Sequence, residues 1–235
     1  MALIRKWYLF HEFNKVFSQT GFFHGYRLYA VDDSDIHIPT NLDDKKTFFG
    51  AADNAKDYNL IHLNALYDLL NRRFIEAVLQ DRRDENENNA LINMLENVAH
   101  DTIIVTDRGY ESYNNIANLE AQGLKYVIRV RSKYGISDKF NINPDEETDF
   151  TADILLTRKR TKEIKANPGK YRFLVKNSTF DFLPQGSEDA YPLKFRIIRI
   201  KISKGQYETI VTKACSYKMN VWIFEHNFDG YKTKK

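Results

Sequence analysis

The feature that most restricts the fold is a strand-helix-strand run in the middle of the chain. Thr102-Ile103-Ile104-Val105-Thr106 is a continuous β-branched stretch without alternation, the pattern of a strand buried on both faces, and it stops on Asp107-Arg108-Gly109. A helix follows, with Ile116, Leu119 and Ala121 as apolar positions and Gly123 as its C-terminal cap, and Tyr126 to Val130 returns as a strand. Such a unit needs a sheet with a helix laid on it, so the fold class is α/β, with Asp107 at the carboxyl end of the first strand.

The flanks read as strands and helices in mixed order. Leu28 to Val31 is a short strand that ends at Asp32 and runs out into a loop through Ser34 and Pro39. Ile61, Leu63, Ala65 and Tyr67 alternate as in a half-buried strand, while Leu60, Leu63, Tyr67 and Leu70 equally fit a helix; period alone leaves both open. Phe74 to Leu79 has strand character, and Ala90, Leu91, Met94, Leu95 and Val98 line one helical face. From about Ser132 to Val211, turn residues separate short alternating runs such as Tyr171 to Val175 and Leu193 to Ile202, which predicts antiparallel strands. The expected organisation is a core first part over 1–131, a β-rich insertion over 132–212, and a C-terminal helix over 213–235.

Composition permits a folded domain and excludes several classes. At 235 residues, 43% hydrophobic and 29% charged, the chain can bury a core, and no apolar run approaches the ~20 residues of a membrane span. Met1 to Phe10 lacks the apolar length and cleavage site of a signal peptide, so a cytoplasmic, nucleoid-associated protein is expected. The single Cys215 excludes an intramolecular disulfide and a Cys-based zinc site, and reads as an inert thiol. Net charge is only +3, but cations cluster: Arg158-Lys159-Arg160-Thr161-Lys162, then Lys194, Arg196, Arg199 and Lys201 along one strand, then Lys232, Lys234 and Lys235. Jointly they suit phosphate neutralisation; singly, each is what any solvated surface carries.

Two carboxylates, Asp32 and Asp107, are expected at strand ends, where ligands gather in open α/β sheets. Oxygen donors of this kind suit magnesium, which needs no His or Cys. An Asp after an apolar run is also the ordinary turn or cap residue, so placement alone decides nothing. His37 and His62, on strand-like segments, read as packed or surface residues rather than ligands, and no glycine-rich phosphate loop is present.

The wording around these acids resembles a known family. Tyr29-Ala30-Val31-Asp32-Asp33-Ser34-Asp35-Ile36 with Pro39 is similar to the first-aspartate motif of DDE-type bacterial insertion-sequence transposases, and Ile104-Val105-Thr106-Asp107-Arg108-Gly109-Tyr110-Glu111-Ser112 to their second. Tyr217-Lys218-Met219, Trp222, Glu225 and Lys232 are similar to the third, a helix in which Glu and Lys stand seven residues apart on one face. The resemblance implies a ribonuclease-H-like mixed sheet interrupted by a β-rich insertion before the last catalytic helix. It also implies Asp32, Asp107 and Glu225 as catalytic acids and ligands of a two-metal Mg2+ or Mn2+ site, with Arg108, Lys232 and the Arg158, Lys159, Arg160 run on DNA phosphates. Strand cleavage and transfer on double-stranded DNA, at element ends and target, are the implied chemistry, with a homodimer on DNA and no membrane as partners.

Departures from the motifs qualify this. Asp33 stands where the family usually has Gly, Val221 where it has Arg, and only Lys213 to Ser216 separate Thr212 from Tyr217. The chain therefore reads as a shortened or degenerate copy in which cleavage is expected to be absent or very weak. The alternatives are a catalytically dead DNA-binding remnant, and a ribonuclease-H-like nuclease with no transposition role.

Overall fold

The computed structural model describes residues 12–50, 56–83, 85–132, 134–213, 216, 220, 222 and 223. The chain divides into two compact units between Val105 and Thr106.

In the first unit, β1 (Arg27–Ile38), β3 (Tyr58–Asp68) and β4 (Arg73–Asp81) form an antiparallel meander. The short β2 (Phe48–Phe49) pairs with the start of β3, and β5 (Thr102–Thr106) lies on the other side of β1. The segment that periodicity left open is thus a strand. Its hairpin to β4 is tied by the buried Asp68, whose Oδ1 accepts from the backbone N–H groups of Leu70 and Asn71, both at 3.1 Å. Helix α1 (Glu87–Leu95) begins where Asn86 accepts from the Asn89 N–H at 3.0 Å, and it buries Ala90, Leu91, Met94 and Leu95. β5 is buried at all five positions, as its unbroken apolar pattern requires.

The expectation that β1 ends at Asp32 is corrected. β1 continues to Ile38, so Asp32 sits within the strand. Asp32, Asp33 and Asp35 lower strand propensity, but ten consecutive residues pair with β3, from Tyr29 opposite Asp68 to Ile38 opposite Asn59. Pairing overrides local preference, and the exposure of Asp32 leaves its charge in contact with water.

The second unit carries Asp107, a 3₁₀ turn (Arg108–Tyr110), α2 (Tyr113–Ala121) and a sheet in the order β6 (Lys125–Val130), β10 (Gln206–Thr212), β9 (Ala190–Ser203), β7 (Thr148–Thr157), β8 (Tyr171–Phe173). Ser112 caps α2 by accepting from the Asn115 N–H at 3.0 Å. The helix stops at Gly123, whose φ of +66° admits a left-handed residue; Gly123 N–H donates to Glu120 O and Leu124 N–H to Leu119 O, with both leucines fully buried. β6 (Lys125–Val130) then pairs antiparallel with β10 (Gln206–Thr212). β9 (Ala190–Ser203) pairs antiparallel with both β10 and β7 (Thr148–Thr157). Two features depart from the antiparallel expectation: β8 (Tyr171–Phe173) runs parallel to β7, and the short α3 (Lys162–Ala166) follows the basic run, capped by Thr161. The observed class is the expected mixed α/β sheet with few helices. Among the described residues, no helix is long and apolar enough to cross a membrane.

Candidate functional site

Asp107 follows the buried β5 and is itself exposed. Its Oδ1 accepts from the Gly109 N–H at 2.7 Å, which fixes the carboxylate over the turn. The turn is anchored from below: Tyr110 is fully buried, and the buried Asn115 donates through Nδ2 to the Tyr110 carbonyl at 2.7 Å. Buried residues on both sides of an exposed acid are what the sequence Thr106-Asp107-Arg108-Gly109-Tyr110 encodes.

Arg108 points elsewhere. Its Nη2 meets Glu208 Oε2 at 2.5 Å, and Arg129 forks onto the same carboxylate through Nε at 3.1 Å and a second, shorter bond. Burial pushes the Glu208 carboxyl up, but the hydrogen bonds and charges of Arg129 and Arg108 outweigh it, so Glu208 titrates below its ordinary value of 4.5. A folded value below the unfolded one contributes stability above pH 4.5 that is lost as pH falls through the folded value. Glu208→Gln, which leaves two guanidiniums side by side, is expected to cost about 1–3 kcal/mol at pH 7. Measured by urea unfolding, the gap to the parent is constant from pH 7 to about 5.5 and narrows as pH falls below 4.5; a gap that stays constant below pH 4.5 would contradict the charge argument.

The basic run is divided among different duties. Arg158 donates to three backbone carbonyls, Leu183 at 2.8 Å and Val175 and Ser178 at 3.2 Å, and so holds the 175–183 loop. Lys159 pairs with Glu188 at 3.0 Å. Arg160 lies over the Phe173 ring at 5.5 Å and lines a cleft with Arg131, Lys139, Lys165 and Arg172. On β9, Arg196 forks onto Asp149 at 2.6 and 2.5 Å and Arg199 donates to Thr209 and the Pro144 carbonyl, whereas Lys194 and Lys201 are exposed. Sequence reading found the contiguous run but missed the cleft, because Arg131, Lys139 and Lys165 come from separate elements.

Asp32 is exposed on β1, and its Oδ1 accepts from the Asp33 N–H at 3.0 Å. Asp33, the departure from the family's Gly, has no positive φ and lies in regular strand, so glycine's freedom is not required there. Its Oδ2 is 3.7 Å from Nε2 of the buried His62. His62 is in turn surrounded by acids: Nδ1 lies 2.8 Å from Asp35 Oδ1 and 3.3 Å from Glu85 Oε2. Two groups, Asp33-His62-Glu87 and Asp35-His62-Glu85, have ligand atoms within 4.8 Å of one another, close enough to hold a metal ion. The reading of His62 as packed is right as to burial, but its surroundings are charged. Burial raises the Asp35 carboxyl, yet hydrogen bonds from His62 and Arg82 bring it below its ordinary value. Glu225, Lys232 and Val221 lie outside the described residues.

The family model for the transposase DDE domain matches residues 23–215. The chain belongs to this family. The match contains Asp32 and Asp107 and stops short of Glu225. Among solved structures, a similar chain is that of a piggyBac transposase synaptic complex with hairpin DNA. It is 11% identical with a TM-score of 0.45, over 88% of this chain and 39% of that one. This DDE-domain chain therefore spans about two-fifths of the length of that protein. No curated protein matches it.

Proposed function

We propose that this DDE domain cleaves and joins DNA strands with divalent metal ions held by Asp32, Asp107 and Glu225. The observation that carries the reading is Asp107: an exposed carboxylate, fixed by Gly109 and anchored by buried Tyr110 and Asn115, within the residues that match the family. With Oδ1 taken by the Gly109 N–H, Oδ2 makes no hydrogen bond among the described residues, and an oxygen donor of this kind fits Mg2+ or Mn2+. Support for Asp32 comes from its exposure and from β1 lying next to β5 in the first unit. When bound, the metals would activate the attacking oxygen and stabilise the leaving one. The chain's own part is to present the acids and to bind DNA phosphates, for which the cleft lined by Arg131, Lys139, Arg160 and Lys165 is suited.

Cleavage is expected to be weak, because Asp33 adds a charge next to Asp32 and Val221 replaces the usual cation. The strand conformation of Asp33 and its approach to His62 favour residual activity over a dead remnant. Nicking of the element's own ends in Mn2+ or Mg2+, abolished by chelation, is the expected result. No cleavage with either ion overturns the reading, and DNA binding that ignores salt overturns the phosphate role.

A further inference from the structure

We propose that His62, Asp33 and Glu87 form a second metal site, for one zinc- or manganese-class ion, separate from the Asp32 and Asp107 acids. The register builds it. Asp35 faces His62 and Asp33 faces Asn64 across β1 and β3, and directly opposed residues share a face, as do residues two apart. Asp33, Asp35, Asn64 and His62 therefore stand on one face, and Asp32 on the other. The start of α1 is pinned over that face: Asn64 Nδ2 donates to Gln80 Oε1 at 3.2 Å, and Gln80 exchanges bonds with the Asn86 backbone at 3.2 and 3.4 Å. This brings Glu85 and Glu87 to the imidazole.

The ring is prepared for a cation. His62 is 2% exposed, and its Nδ1 lies 2.8 Å from Asp35 Oδ1. Nε2 is buried and has no hydrogen-bond partner, a state that a buried polar atom rarely keeps. The 3.7 Å to Asp33 is too long for a hydrogen bond. A metal on Nε2, with a carboxylate on the other ring nitrogen, is the usual arrangement of a ligating histidine and its orienting acid. Arg82 pairs with Asp35 at 2.9 Å and also with Glu85, so the orienting acids already share a counter-charge. Asp33 Oδ2 stands 3.7 Å from Nε2, and ligand atoms of Asp33, Glu87 and the His62 ring all lie within 4.8 Å of one another, a span that rotation of two carboxylates closes onto one ion. One imidazole with two carboxylates suits Zn2+ or Mn2+ better than Mg2+. Bound there, the ion would clip the start of α1 to the sheet.

The test is calorimetric titration of the chelator-treated full chain with Zn2+, and separately Mn2+, alongside 15N NMR of the imidazoles. The Zn2+ binding event that moves the His62 ring signals is expected in the parent and is retained in Asp107→Asn, whatever that substitution does to other bound ions, with affinity down at least about tenfold in Glu87→Gln and Asp33→Asn and lost in His62→Gln. The His62 ring signals should move on Zn2+ addition. Unchanged binding by a folded His62→Gln overturns the proposal. If that variant fails to fold, unchanged binding by Glu87→Gln and Asp33→Asn does so instead. His62 ring signals indifferent to Zn2+ would mean a simple ion-pair cluster and overturn the proposal. Loss of this binding in Asp107→Asn would mean that only one site exists. Since the catalytic reading is tested by cleavage, either proposal can fail alone.

Discussion

Ile103→Ala and Ile104→Ala should each destabilise the protein by about 2–5 kcal/mol, the usual cost of truncating a fully enclosed aliphatic side chain. Adjacent residues of a strand point to opposite faces, so a strand with one solvated face would show one large loss and one small one. Both isoleucines are 0% exposed, which means that both faces of β5 are covered. Two equal losses are therefore the signature of its position, and Ile36→Ala on β1, 37% exposed, should cost under about 1 kcal/mol. Urea unfolding followed by far-UV circular dichroism reads all three. A small effect at either Ile103 or Ile104 would mean that one face of β5 is open, and would undercut the rigid support on which the placement of Asp107 depends.

The same contrast shows how much the chain discloses of itself. β5, α2 and β6 were legible because burial on both faces, a helical period and a glycine stop each leave a local mark, and Gly123 does take the left-handed conformation its position called for. β1 was legible only to Val31. Beyond it, three aspartates resemble a loop, and what keeps them extended is pairing with β3, about thirty residues away in sequence. The His62 cluster was hidden for a related reason. A slip of one residue in register would put Asp33 and Asp35 on the face opposite His62, and register is not written in the local pattern. The basic run was visible as charge, whereas its distribution was not: Arg158 serves the 175–183 loop and Arg160 the cleft, although the two are separated by a single residue.

Asp107→Asn should lower metal-dependent cleavage by at least about 100-fold while leaving the fold intact, because losing or misplacing one ligand of a metal site costs that much in rate. The substitution separates the two duties of this residue. Asn keeps an oxygen that can accept from the Gly109 N–H, so the turn over Tyr110 should persist, but it removes the charge that would bind the ion. Asp107→Ala removes both, and should add a loss of about 1 kcal/mol in stability to the same loss of rate. Comparing nicking rates in Mn2+ with urea midpoints for the parent and both variants distinguishes chemistry from folding. If Asp107→Asn cleaved within a few-fold of the parent, Asp107 would be a turn cap alone, and the nuclease activity would have to be sought in other acids of the chain.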